Sequence, residues 1–164
     1  MDNSNEKEIV ITRVFDAPRE LVFRAFTDAE HLKQWFSPKT FTTPVAEADA
    51  RPGGIFRYCM RAPDGKEFWG RGAYRELVEP ERIVYVDSFT DPDGNVVDAT
   101  YYGMGAGQPV ESLVTITFEE QDGGTKVTLR HALGIDVPER TGAIQGWTEM
   151  LEKLAELLAG SGTK

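Results

Sequence analysis

A single cysteine, Cys59, sets the first limit: with no second thiol there is no internal disulfide and no thiolate cluster for zinc. Histidine is almost as scarce. His31 and His131 fall on different expected elements, so neither a metal site nor a cofactor is expected. No apolar run approaches the roughly 18 residues of a membrane span, and the opening MDNSNEKE lacks the apolar stretch of a signal peptide. A cytoplasmic protein is the economical expectation. Basic residues are also in short supply, 18 against 27 acidic, for a net charge of −9. That disfavours nucleic acid or an anionic membrane as the main partner, because both are held by basic surfaces. Internal repeats and linkers between apolar blocks are missing too, which leaves residues 8–160 as a single domain behind a disordered tail, residues 1–7.

What is present is a globular composition, 40% hydrophobic and 27% charged, arranged in strand and helix patterns. EIVITRVF alternates and is β-branched, as a strand should be. Pro18 suits the first turn of a helix, PRELVFRAFT. A second helix follows, with Thr27 and Glu30 at capping-box spacing and Leu32, Trp35 and Phe36 on its apolar side. Strands are expected near 42–49, 54–61, 67–78, 82–90, 111–120 and 125–134. Glycine- and proline-rich turns separate most of them, and such short loops force antiparallel neighbours. The last helix starts near Pro138. Its stripe runs through Ile144, Trp147, Leu151, Leu154 and Leu158, widened by Met150 and Leu157, and Gly160 is the expected stop. A stripe that long must cover the sheet.

Parity along each strand picks the covered face. It places Phe56, Tyr58 and Met60 inward, opposite Arg57, Cys59 and Arg61. The same reasoning turns in Val114, Ile116 and Phe118, then Val127, Leu129, His131 and Leu133, and the set Ile83, Tyr85, Asp87 and Phe89. Strand 67–78 stays open, because Gly70 and Gly72 leave one face bare while Trp69, Arg71 and Ala73 fill the other.

The order β-α-α-β6-α, with the segments ITRVFDAPRELVFRAFTDAEHLKQWF, PGGIFRYCMRAPDGKEFWGRGAYRELVEPERIVY, LVTITFEEQDGGTKVTLRHAL and GWTEMLEKLAELL, resembles the START-like superfamily, also called SRPBCC or Bet v-like helix-grip. The branch is that of activators of the heat shock protein 90 ATPase. The resemblance implies an α+β fold in which a curved antiparallel sheet of about seven strands grips a long C-terminal helix. It also implies a cavity between helix and sheet that takes an apolar small molecule. It carries over no catalytic residues, and a separate N-terminal domain like that of eukaryotic chaperone activators is not expected.

The candidate ligand-contacting set is Phe56, Tyr58, Trp69, Arg71, Tyr85, Asp87, Tyr102, Met104, His131, Trp147, Met150 and Leu151. Aromatic walls with a few polar groups describe a ligand pocket; the competing description is a filled core with a buried histidine. Asp87 and His131 are the one inward ionisable pair, able to orient a ligand or exchange a proton if they approach. Arg71 suits a carboxylate or carbonyl if its face is the inner one. Tyr101, Tyr102 and Met104 lie on a long loop that reads as a flap, a plain hairpin loop or a dimer contact. Its Gly103, Gly105 and Gly107 do not introduce a helix, so they are not a phosphate loop. No serine has a nucleophile elbow, and Cys59 lies on the arginine side of its strand.

The leading expectation is non-enzymatic binding of a hydrophobic or aromatic molecule, lipid- or polyketide-like. A chaperone-ATPase-stimulating interaction protein comes second and a cyclase- or hydrolase-like enzyme third. A second copy of the chain is a further partner left open.

Overall fold

The computed structural model of the protein describes residues 8–103, 110–132 and 139–162. Alternating β-branched residues form β1 (Glu8–Phe15), after which Pro18 admits α1 (Arg19–Thr27), followed at once by α2 (Ala29–Trp35). The expected capping box at Thr27 and Glu30 does not form. The Thr27 hydroxyl turns back to the Phe23 carbonyl, 3.2 Å away, and Asp28 takes the junction, its carboxylate 2.7 Å from His31 Nδ1.

Seven strands follow: β2 (Thr42–Ala48), β3 (Ile55–Arg61), β4 (Glu67–Val78), β5 (Arg82–Thr90), the two-residue β6 (Val96–Val97), β7 (Ser112–Gln121) and β8 (Gly124–Ala132). With β1 they make one curved antiparallel sheet of order β1-β8-β7-β5-β4-β3-β2, with β6 paired to β5. The β7–β8 hairpin turns on Asp122 and Gly123, both at positive φ, a conformation that Asp-Gly pairs tolerate. This is the helix-grip α+β architecture, closed by α3 (Glu139–Gly162). That helix runs past Gly160, so the expected stop there is corrected. Pro138 and Leu133 lie outside the described residues.

The core sits in the concavity of the sheet. Val114, Ile116, Phe118, Val127 and Leu129 are buried there, with α1 and α2 closing one end. Phe26 meets Trp35 and Phe118 edge-on at 4.8 and 5.3 Å, and Trp35 donates its indole N–H to the Ala25 carbonyl. Leu151, Leu154 and Leu158 of α3 join this cluster at no more than 2% exposure. Ile144 does not: it is 39% exposed, which corrects its place in the buried stripe.

Candidate functional site

Between the first half of α3 and the inner sheet face lies a cavity of about 290 Å³. Small-molecule sites run from roughly 300 to 1,000 Å³, so this one suits a compact ligand. Alternation supplies its floor: Tyr58 and Met60 from β3, Phe68 from β4, Tyr85, Asp87 and Phe89 from β5, and His131 from β8. Phe36, Pro38 and Phe41 border it from the α2–β2 connection, and Ala143, Gly146, Trp147 and Met150 form the roof. A larger depression, about 480 Å³, lies among Arg19, Arg82, Glu119 and Glu120 on the surface. Largely exposed charged side chains line it, so the site is the smaller, aromatic cavity.

The open question of β4 is decided by register. Tyr58 pairs with Gly70, and Phe56 with Gly72, so the glycine face is the inner one. A Cβ on Gly70 would lie 2.4 Å from the Tyr58 hydroxyl oxygen, and one on Gly72 would lie 2.0 Å from the Phe56 ring. The missing side chains are the space in which those rings lie. Trp69 and Arg71 therefore belong to the outer face. Arg57 stacks over the Trp69 ring at 4.8 Å there, so Trp69 borders the cavity while its ring is engaged elsewhere. Arg71, which would have suited a carboxylate had its face been the inner one, is turned away from the cavity, so its place in the ligand-contacting set is corrected. Cys59 shares the outer face, fully buried, and burial pushes its thiol up to about 11.

Two polar pairs stand on the cavity wall. The Tyr58 hydroxyl donates to Asp87 Oδ1 over 2.8 Å. Burial pushes the Asp87 carboxyl up to about 6, the tyrosine hydrogen bond pulling the other way. Burial, with the nearby Asp87 charge, also drives the Tyr58 phenol well above its ordinary range. On the other side, Trp147 Nε1–H donates to His131 Nδ1 over 3.0 Å, and His131 Nε2 lies 2.8 Å from the Ser112 hydroxyl. An Nδ1 that accepts from an indole carries no proton, so the ring is neutral with its hydrogen on Nε2, donated to Ser112. Burial lowers the histidine to about 4, in keeping with that state. No hydrogen bond joins Asp87 to His131 among the described residues. The acid–base pair that the sequence suggested is not assembled, because each member is committed to a different partner.

Phe56 stands behind the cavity, meeting Tyr85 edge-on at 4.8 Å, and Leu151 lies in the solid core at 1% exposure. Tyr102 is not on a free flap. It sits in a 3-10 turn, Ala99–Tyr102, with its ring against Phe68 and Phe89. Its hydroxyl accepts from the Trp69 N–H and donates to the Thr90 carbonyl, bridging the end of the β4–β5 ladder. Met104 lies outside the described residues. Sequence reasoning missed Phe36 and Phe41 as cavity neighbours, as well as Phe68, which parity left undecided.

Residues 16–159 match the family described as Activator of Hsp90 ATPase homolog 1-like protein. The chain belongs to that family. A crystal structure of a protein from Chromobacterium violaceum is 33% identical, with a TM-score of 0.77 over 93% of this chain and 96% of that one. One from Nitrosomonas europaea is 26% identical, with a TM-score of 0.79 over 97% and 98%. A structure from Silicibacter pomeroyi that carries the same family designation is 24% identical, with a TM-score of 0.75 over 94% and 99%, and bears on the fold alone. No curated protein matches the chain. No helix among the described residues is long and apolar enough to cross a membrane, and those residues contain no grouping of side chains suited to a metal ion.

Proposed function

We propose that the protein binds a compact, mainly apolar small molecule in the cavity between α3 and the sheet, without transforming it. The observation that carries this reading is an aromatic-lined space of about 290 Å³ with one hydrogen-bonded carboxylate on its wall. Apolar lining supplies affinity and a few fixed polar groups supply orientation. The neutral, doubly engaged His131 argues against acid–base chemistry, since neither ring nitrogen is left to take up a proton. Native mass spectrometry of the purified protein, with thermal-shift measurements against small aromatics, tests the reading. A mass adduct or a rise in melting temperature is expected, and both should vanish in Gly146→Leu, which fills the roof. Stabilisation that persists in Gly146→Leu would place binding elsewhere.

A second reading, stimulation of a chaperone ATPase, draws on the family description alone. It calls for a surface contact and no cavity, and an unchanged ATPase rate of the cognate chaperone would remove it.

A further inference from the structure

Resting on the cavity reading, we infer that the ligand is an organic cation: a protonated amine on a compact aromatic or alicyclic body, with its ammonium on Asp87. The carboxylate accepts one hydrogen bond, from Tyr58 to Oδ1, and among the described residues no donor reaches Oδ2. The side chain is only half-buried, so a carboxylate oxygen is left to face the cavity. No lysine or arginine is among the described residues that line that space. The lysines that come near are engaged outside it. Lys153 Nζ holds the Ser37 hydroxyl and the Phe41 carbonyl, and Lys66 Nζ holds the Tyr102 carbonyl over the Phe68 ring. His131 adds no positive charge, because Trp147 occupies its Nδ1.

An unpaired carboxylate in a site partly withdrawn from water is costly, and a cation is what offsets it. The rings of Phe36, Phe41, Phe68, Phe89, Tyr85 and Trp147 around the same space add to this, since aromatic faces attract ammonium groups. A fatty acid or other carboxylate would instead bring a second negative charge beside Asp87, with nothing among the described lining residues to neutralise it. The net charge of −9 also draws cations toward the molecule.

Tryptamine, tryptophol and indole-3-acetate form a matched test: one indole ring carrying an ammonium, a hydroxyl or a carboxylate. By titration calorimetry near pH 7.5, tryptamine should bind at least about tenfold tighter than indole-3-acetate, and tighter than tryptophol. Facing Asp87 are Tyr58 from β3, Tyr85 from its own strand and His131 from β8; β4 presents Phe68, Gly70 and Gly72, β7 presents Ser112, and α3 presents Trp147 and Met150, and none of this second group is ionisable. Both phenols are raised above the ordinary range and the imidazole is lowered to about 4, so between pH 5 and 8 the carboxylate is the group on this wall that titrates. Lowering the pH to about 5 should therefore weaken tryptamine about tenfold and leave tryptophol within about twofold. Asp87→Asn should erase the gap between amine and alcohol while keeping the alcohol, whereas Tyr58→Phe should preserve the gap. If Asp87→Asn does not fold, the pH comparison on the unaltered protein decides. Tryptophol or indole-3-acetate binding as tightly as tryptamine overturns the cation assignment and spares the cavity reading. Binding by none of the three overturns both.

Discussion

The two halves of α3 lie over the same sheet and do different things. From Leu151 onward the helix is packed solid, with Leu154 wholly buried in the cluster around Ile116 and Phe118. Before that point Ala143, Gly146, Trp147 and Met150 roof a cavity. The helix is packed against the core at one end and borders open space at the other. Truncating side chains along it should expose the difference. Leu154→Ala should cost about 2–5 kcal/mol, the usual toll of a new hole in a close-packed core. Met150→Ala should cost about 1–2 kcal/mol, because its side chain already borders open space and little new void is made. Urea denaturation of both variants reads this directly, and equal losses would erase the distinction.

Adding atoms probes the same boundary from the sheet side. A methyl at Gly72 meets the Phe56 ring at 2.0 Å and the Tyr85 ring at 2.7 Å, and both rings are buried. The Phe56 ring, the nearer of the two, stands behind the cavity with no room to swing, so the added methyl forces strain and Gly72→Ala should destabilise by about 1–3 kcal/mol. A methyl at Gly70 meets Tyr58, whose ring borders the cavity and has space to retreat. Gly70→Ala should therefore cost clearly less in the same experiment, at the expense of the Tyr58–Asp87 hydrogen bond.

How much of this was legible in advance depends on whether a side chain was there to be read. β3, β5, β7 and β8 announce their inner faces by alternation, and the structure puts Phe56, Tyr85, Ile116 and Leu129 where alternation places them. On β4 the middle of the inner face is two glycines, and a missing side chain has no polarity to read; only pairing with Tyr58 and Phe56 reveals why the gap exists. Ile144 fits the helical stripe yet lies open, because periodicity says where a residue points and not whether anything reaches it. The Tyr58–Asp87 and Trp147–His131 hydrogen bonds join residues on separate elements, beyond what spacing within one segment can show. The glycine-rich loop around Tyr102 fits a flap, a plain hairpin loop or a dimer contact equally, because its hydroxyl completes a ladder that only the paired strands define.

The cavity end also carries opposed titrations that the solid end lacks. Asp87 is raised to about 6, so between about 4 and 6 the folded state holds more protons than the unfolded, and stability falls as pH rises. His131 is lowered to about 4, so over about 4 to 6.5 the folded state holds fewer, and stability rises with pH. The shifts are similar in size and largely cancel. Asp87→Asn removes one of them. After allowance for the carboxylate's partial exposure it should gain about 1–2 kcal/mol near neutral pH, with stability climbing more steeply than in the unaltered protein from about pH 4 to 6.5. Thermal melts across that range test it, and parallel curves for the two proteins would dismiss the opposition.

The smallest expected effect is also the sharpest separation of holding from binding. A Cβ at Gly146 would find its nearest neighbour, Pro38 Cγ, at 3.9 Å, an ordinary contact. Glycine inside a helix costs up to about 1 kcal/mol relative to alanine, and a leucine here recovers most of that while burying apolar surface in the cavity. Gly146→Leu should thus leave stability within about 1 kcal/mol of the parent, or raise it. In a conventional core position the same change would overpack and destabilise. A loss of several kcal/mol would mean that the roof of the cavity is already in contact with its floor, and that the two halves of α3 are packed alike after all.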